Sequence, residues 1–183
     1  MLFRVNGQKI LIRGGGWCPD MFQRYSTERT RAQLAITKDI GLNAIRLEGK
    51  LQNDELFQQA SELGILMLPG WMCCDAWQRW DLWDNETLFV AAESLRSQVR
   101  RLRIQPSVIG FLLGSDDDPP LEVERTFRSV AAEELWPNAV VSGASADIAP
   151  ETGPTGVKVR VPPQCPCCSG FPRSKLVGSR CCC

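Results

Sequence analysis

The stretch "GLNAIRLEGKLQNDELFQQASELGILMLPGW", residues 41–71, holds two apolar runs on either side of an amphipathic segment. The runs, "LNAIRLEG" and "GILMLPGW", have the length and apolar content of buried strands. Between them, Asp54 to Leu63 has helical spacing and is followed by Gly64, a residue typical of helix C-termini. Apolar strands joined by a helix favour a right-handed crossover between parallel strands. The stretch therefore predicts an α/β fold.

The same alternation extends to both sides of this stretch. At the N-terminal side, "FRVNGQKILIRGGG" predicts a hairpin turning at Asn6-Gly7, with its second strand over Ile10 to Arg13 running into the loop "GGGWCPD". A helix is predicted from about Thr27 to Ile40, closed by Gly41. The remaining elements are a helix with an apolar stripe at Leu88, Ala92, Leu95, Val99 and Leu102, a strand "SVIGFLLG", a helix from about Pro119 to Leu135, and a strand "AVVSGASA".

Composition limits the size and the partners of this fold. The 183 residues, 44% of them apolar, can form one ordinary domain or part of one. Lys+Arg and Asp+Glu both total 21, so no bulk charge favours nucleic acid or an anionic membrane. No apolar segment approaches the roughly 20 residues of a membrane span, and the start lacks the features of a signal peptide. We therefore expect neither a nucleic-acid nor a membrane partner.

Residue usage also limits the chemistry. Histidine is absent, which excludes a Ser-His triad and most catalytic zinc sites. Any acid-base work must therefore fall to carboxylates.

The last 25 residues differ in composition from the rest. The segment "VRVPPQCPCCSGFPRSKLVGSRCCC", residues 159–183, holds six of the nine cysteines and has neither strand nor helix periodicity. We predict a folded region over residues 1–158 and a disordered tail over 159–183. The tail includes a C-x-x-C spacing, but a zinc site needs four ligands in a folded frame, and no second clean pair or histidine accompanies it.

Polar and aromatic residues follow each predicted strand. In parallel sheets, ligands bind beyond the carboxyl ends of the strands, so these clusters would face one crevice. They are Trp17 and Asp20 after the first strand, Arg46 and Glu48 at the second, Trp71, Cys73, Cys74 and Asp75 after the third, and Asp116 to Asp118 after the fourth.

The three aspartates have two explanations. Asp118 precedes Pro119 and suits a helix N-cap, where acidic side chains also match the helix dipole. Asp116 directly follows the strand, where a barrel places its functional groups. A third use of the run would be to gather Mg²⁺ through several carboxylates.

Three segments resemble the catalytic barrel of glycoside hydrolase family 2, in its exo-β-glucosaminidase branch, from about Val5 to Lys158. They contain "ILIRGGGWCPDMFQR", the string "GW-x-CCD-x-W", and the string "PSV-x-x-F-x-x-GSD", in the order of the family. The resemblance implies a partial eight-stranded β/α (TIM) barrel, here about five parallel strands with four helices. It also implies an exo-acting retaining glycosidase without a cofactor, a glycoside or oligosaccharide substrate, and secreted full-length relatives. Asp116 would be the acid/base.

This sequence departs from the family pattern in three ways. Retaining hydrolysis needs a second carboxylate about 5–5.5 Å from the first, and the family supplies it as a glutamate on the seventh strand, beyond the five recognised here. The tail resembles an altered reading frame or a splice product. We therefore expect an inactive fragment without its nucleophile. Met72 stands where a glucosaminidase would have glutamate, and Gln105 where histidine is usual.

Several polar and aromatic residues have two explanations each. Trp71 and Trp77 would stack on sugar rings or pack in buried loops. Arg46 and Glu48 would bind substrate hydroxyls or pair with each other, and Asp75 completes this expected substrate-binding set. The basic residues of the third helix indicate a solvated face rather than a phosphate site. They are Arg96, Arg100, Arg101 and Arg103.

Three functional hypotheses remain. The chain is a glycosidase by descent, a non-catalytic fragment that binds sugar, or a metal-binding protein that uses the tail cysteines or the aspartate run.

Overall fold

The computed structural model describes residues 3–73, 75–144 and 148–156, and the predicted tail lies outside them. Four α-helices alternate with strands along these residues. The helices are α1 Thr27–Asp39, α2 Asp54–Leu63, α3 Asn85–Leu102 and α4 Leu121–Glu133. The strands are β1 Phe3–Val5, β2 Gln8–Ile10, β3 Gly14–Gly16, β4 Ala44–Leu47, β5 Leu66–Pro69, β6 Gly110–Leu112, β7 Ala139–Val141, β8 Ile148–Ala149 and β9 Gly153–Pro154.

Five of the strands run parallel to one another and follow the chain order. β3, β4 and β5 form one ladder, and β6 and β7 form another. Parallel bridges from Met67 to Val108 and from Gly70 to Leu112 connect β5 to the segment of β6. A helix follows each of the strands β3 to β6 and connects it to the next parallel strand. The predicted alternation of parallel strands with four helices is confirmed.

The N-terminal hairpin is also confirmed. β1 and β2 pair antiparallel around Asn6 and Gly7, whose φ angles are 50° and 79°. Positive φ at both central residues matches the right-handed twist of the two strands, and Asn-Gly tolerates it.

The first parallel strand is not where the sequence predicted it. We expected it over Ile10 to Arg13, but the strand paired with β4 is the triple glycine Gly14–Gly16. A Cβ at Gly14 would lie 2.8 Å from the carbonyl oxygen of Ala44, so this close approach requires glycine. A strand of three glycines carries no side-chain periodicity, which is why the pattern missed it.

The start of α4 is a second correction. Asp118 was expected to cap this helix, but the N-cap is Pro120, and no side chain caps the helix. A proline disfavours helical conformation in the residue before it, so Pro120 keeps Pro119 extended and the helix begins afterwards. The other helices have side-chain caps, and Ser26, Asn53 and Asp84 each accept a hydrogen bond from the first turn.

The main core lies between the sheet and the helices. Its fully buried residues include Leu34, Phe57, Leu95 and Phe127, which lie on the four helices. The opposite face of the sheet carries a smaller apolar cluster, formed by Leu68, Leu112, Val141 and Ala144.

The arginines near the C-terminal end of α3 are partly exposed and also ion-paired, and the sequence interpretation of a solvated face did not include these pairs. Glu134, directly after α4, is 8% exposed, and its carboxylate lies 2.7 Å from Nε of Arg100 and 3.0 Å from Nη1 of Arg96. Hydrogen bonds from Arg100 and Arg96 lower the pKa of Glu134 to about 2. Arg101 instead pairs with Asp54 at 2.7 Å. These contacts connect helices that are distant in sequence, so helix periodicity could not show them.

Candidate functional site

The carboxyl ends of β4, β5 and β6 meet at one edge of the sheet. Arg46 is in register with Leu68 of β5, and the backbone N–H of Trp71 donates to the carbonyl of Leu112 at 2.7 Å. The predicted polar clusters after these strands are therefore brought to the same edge, as the parallel arrangement requires.

Arg46, Glu48 and Ser115 form a closed hydrogen-bonded cluster at this edge. Nη2 of Arg46 donates to Oε1 of Glu48 at 3.0 Å and to Oγ of Ser115 at 2.6 Å. The hydroxyl of Ser115 also donates to Oε1 of Glu48. Both expected roles of the pair therefore remain open, because Arg46 and Glu48 pair with each other and still border the strand ends.

Burial and ion pairing have opposite effects on the pKa of Arg46. The Arg46 side chain is 22% exposed and that of Glu48 is 42% exposed. Desolvation lowers the pKa of Arg46, while the Glu48 carboxylate opposes this shift. An arginine pKa is high enough that the guanidinium stays charged at neutral pH, so the Arg46 charge is balanced by Glu48.

The aspartate run forms a compact loop after β6. Ser115 is buried, Asp116 is half-buried and Asp117 is exposed. The loop is held against the end of β7, where the backbone N–H of Ala144 donates to the carbonyl of Ser115 at 2.6 Å. Asp116 thus lies in this loop, four positions after the end of β6 at Leu112.

The segment "GWMCCDAW", residues 70–77, passes close to Gly49, which lies two positions after the end of β4. Gly49, at φ 66°, lies so close to it that a Cβ there would be 2.5 Å from the backbone nitrogen of Cys73. Cys73 is disulfide-bonded, which the sequence analysis did not predict, and Cys74 lies outside the described residues. Asp75 accepts a hydrogen bond from the backbone N–H of Trp77 at 2.9 Å and caps a short 3₁₀ helix.

The tryptophans of this region pack against one another and against α4. Trp71 is 2% exposed, and its ring lies 5.9 Å from that of Trp77 and 4.8 Å from that of Phe127. Its indole N–H donates to the carbonyl of Trp77 at 3.2 Å. This placement favours the packing explanation for Trp71, whereas Trp77 is half-buried and keeps part of its surface open.

Trp17 and Asp20, which follow β3, have different partners. The backbone N–H of Trp17 donates to the carbonyl of Arg46 at 2.8 Å, which extends the β3–β4 ladder. Asp20 pairs with Arg24 at 3.0 Å and with Arg29 at 3.6 Å. The Arg24 hydrogen bond is the main cause that lowers the pKa of Asp20 to about 2.

The described residues offer no candidate metal site. Within residues 3–73, 75–144 and 148–156, no group of three or more His, Cys, Asp or Glu side chains is arranged to hold a metal ion. The aspartate run therefore gives no support to the Mg²⁺ hypothesis, and the tail cysteines lie outside the described part.

No helix in the described part is long and apolar enough to cross a membrane.

Ser115 is the site residue that sequence reasoning missed. Its only sequence signal was its place between an apolar strand and Asp116. A serine at this position does not by itself indicate a functional role in the sequence. The role follows from its contacts with Arg46 and Glu48, which lie 69 and 67 positions away.

Comparisons with known proteins give consistent relatives, although no protein-family model matches the chain. The chain is 40% identical over 167 residues to an exo-β-D-glucosaminidase of Streptomyces avermitilis, covering 87% of this chain and 18% of that protein. It is 39% identical to the exo-β-D-glucosaminidase of Amycolatopsis orientalis, covering 87% and 16%. A β-mannosidase of Capra hircus is 30% identical, covering 65% and 14%. The chain thus spans less than a fifth of the length of these relatives.

Solved structures similar to this chain include proteins of the same kind as these relatives. The exo-chitosanase of A. orientalis superposes with a TM-score of 0.80 at 36% identity, covering 86% of this chain and 19% of that one. Complexes of an aspartate-to-alanine and a glutamate-to-alanine variant of that protein with PNP-β-D-glucosamine give TM-scores of 0.79 each. A β-glucuronidase of Parabacteroides merdae, at 21% identity and a TM-score of 0.62, shares the fold.

Proposed function

Because the chain is homologous to a segment of exo-β-D-glucosaminidases and β-mannosidases, which are members of glycoside hydrolase family 2, we propose that it forms the acid/base half of a retaining exo-glycosidase site. The observation that carries this proposal is the position of Asp116. It lies in the loop after β6, adjacent in sequence to Ser115 of the cluster with Arg46 and Glu48, in a chain 40% identical to an exo-β-D-glucosaminidase.

The proposed architecture is part of an eight-stranded β/α barrel. Its support is the set of five parallel strands in chain order, each of the first four followed by a helix, and the TM-score of 0.80 with the exo-chitosanase. In such a barrel the carboxyl ends of the strands carry the chemistry.

The proposed reaction divides its work between two carboxylates. Asp116 protonates the glycosidic oxygen as the leaving group departs, and a second carboxylate attacks the anomeric carbon to form a covalent glycosyl-enzyme. Asp116, then ionised, removes a proton from the water that hydrolyses this intermediate. The family resemblance assigns the nucleophile to a glutamate on the seventh barrel strand. The aspartate and glutamate variants crystallised for the A. orientalis protein support a pair of this composition.

The proposed sugar contacts are Arg46, Glu48, Asp75 and Trp77. Glu48 and Asp75 offer carboxylate oxygens to hydroxyl groups, and the open surface of Trp77 suits the C–H face of a sugar ring. Trp71 supports Trp77 from the core rather than reaching the substrate, in agreement with its burial.

Two protein samples test the proposal. The first is the chain by itself, and the second is a chimera in which residues 3–156 replace the homologous segment of the S. avermitilis enzyme. Release of nitrophenol from p-nitrophenyl β-D-glycosides measures turnover. We expect turnover by the chimera and at most trace turnover by the chain alone. A folded chimera without activity would contradict the proposal, whereas glycoside binding without turnover by the chain would fit a sugar-binding fragment.

A further inference from the structure

We propose that Ser115 is a positioning residue, whose hydroxyl fixes the Arg46–Glu48 pair at the carboxyl ends of the strands. The use of this pair in sugar recognition rests on the proposed function, but the positioning itself does not.

The geometry connects strands that do not touch each other. Arg46 lies on β4 and Ser115 follows β6, while β5 lies between the two strands. The ladders through β5 position the backbones of β4 and β6 relative to each other, but they leave the position of the Arg46 guanidinium unset. The 2.6 Å hydrogen bond from Nη2 of Arg46 to Oγ of Ser115 makes this connection through side chains.

Ser115 is well placed to hold the pair because it is itself immobile. It is 1% exposed, and its carbonyl accepts the backbone N–H of Ala144 at 2.6 Å. Arg46 and Glu48, in contrast, have long side chains with several rotatable bonds, and ordering each of them costs rotamer entropy. A short buried side chain that contacts both restricts them at little entropic cost.

The hydrogen-bond inventory assigns each atom of the cluster. A serine hydroxyl has one proton to donate, and here it goes to Oε1 of Glu48. The same oxygen accepts from Nη2 of Arg46 at 3.0 Å. The two hydrogen bonds at Oε1 restrict the orientation of the Glu48 carboxylate, which is 42% exposed and accessible to a hydrogen-bond donor of the substrate.

Removing the hydroxyl has a defined consequence. In Ser115→Ala the guanidinium loses an acceptor in a poorly solvated position, and Oε1 of Glu48 loses a donor, so both side chains gain rotational freedom. Ser115→Thr keeps the hydroxyl and adds one methyl group. Ser115→Cys keeps the size of the side chain but replaces the hydroxyl with a weak donor and acceptor.

The experiment follows the Arg46 guanidinium in the full chain by NMR. Rotation about its Nε–Cζ bond is measured from the ¹⁵Nη resonances, which are assigned with Arg46→Lys. We expect rotation to be about tenfold faster in Ser115→Ala, because a charge-assisted hydrogen bond is lost, and intermediate in Ser115→Cys. Ser115→Thr should remain close to the wild type. Ser107→Ala is the matched control, since Ser107 is also buried but its hydroxyl donates to the carbonyl of Phe57.

A second readout uses p-nitrophenyl β-D-glucosaminide as the probe. In NMR titrations we expect the Kd of Ser115→Ala to be about tenfold weaker than that of the wild type, with rescue by threonine. Unchanged rotation of Arg46 in folded Ser115→Ala or Ser115→Cys would overturn the positioning role. If rotation rises while the folded chimera that carries residues 3–156 does not hydrolyse the probe, the positioning role stands and the proposed function of this segment fails.

Discussion

Gly114 lies so close to Asp117 that a Cβ at residue 114 would be 2.6 Å from the carbonyl oxygen of Asp117. Real Cβ atoms do not approach an oxygen this closely, so the aspartate loop can fold back on the end of β6 only if residue 114 is glycine. Gly143 is restricted in the same way, because its Cβ would lie 2.9 Å from the carbonyl oxygen of Ser115. Two glycines without any functional group therefore determine where Asp116 stands.

Gly114→Ala should displace the aspartate loop and destabilise the fold. Inserting a methyl group into a tightly packed position costs about 1–3 kcal/mol of unfolding free energy, which chemical denaturation measures. Gly15→Ala is the control, because its Cβ would have only the Leu42 side chain within 4 Å, at 3.9 Å. Equal stability of the two variants would show that the loop does not depend on this contact.

Asp116→Asn should remove most of the activity of the chimera. Loss of a general acid/base costs about 10²–10⁴-fold in rate, whereas Asp117→Asn, on the exposed neighbour, should leave kcat within about threefold. The measurement is nitrophenol release by both variants. If they lose the same activity, the acid/base is not Asp116.

Met72→Glu should shift the chimera toward 2-amino sugars. A carboxylate beside the sugar would form a charge-assisted hydrogen bond with a 2-ammonium group, worth about 1.5–3 kcal/mol, or tenfold or more in selectivity. The ratio of kcat/KM for p-nitrophenyl β-D-glucosaminide over p-nitrophenyl β-D-glucoside reports this. Met72→Gln matches the size without the charge and should leave the ratio near that of the wild type. An equal rise in both variants would argue against a charge effect.

Glu134 should make stability depend on acid pH. Its pKa is lowered from 4.5 to about 2 in the folded chain by Arg100 and Arg96. A depressed carboxyl pKa contributes stability that is fully present above pH 4.5 and is lost as the pH falls toward 2. Wild type should therefore exceed Glu134→Gln in stability at neutral pH, and the gap should shrink between about pH 4.5 and 2. Denaturation at several pH values tests this, and a constant gap would contradict the ion-pair assignment.

Trp71→Ala should cost about 3–5 kcal/mol of stability, as expected for a fully buried aromatic side chain. Phe89→Ala is the matched control, since Phe89 is 66% exposed on α3 and should change stability by less than about 0.5 kcal/mol. A small effect at Trp71 would mean that its ring is available to a ligand instead of the core.

The sequence alone determined the alternation of the four helices with parallel strands. Gly64 ends α2 with left-handed φ, Asn6-Gly7 turns the first hairpin, and Leu95 and Val99 face the core, because capping, turn chemistry and periodicity act over a few neighbouring residues. It also placed Asp116 at a strand end, since parallel strands bring their carboxyl ends together.

Only the tertiary structure decided the contacts between distant segments. The bond from Arg46 to Ser115 and the ion pairs of Glu134 join residues more than 30 positions apart, and no local pattern encodes such distances. The strand at Gly14–Gly16 depends on close approach to Ala44, which is a property of the packed backbone and not of any glycine side chain. Asp118 is not the N-cap of α4, because Pro120 disfavours a helical conformation in the residue before it and the helix begins after Pro120.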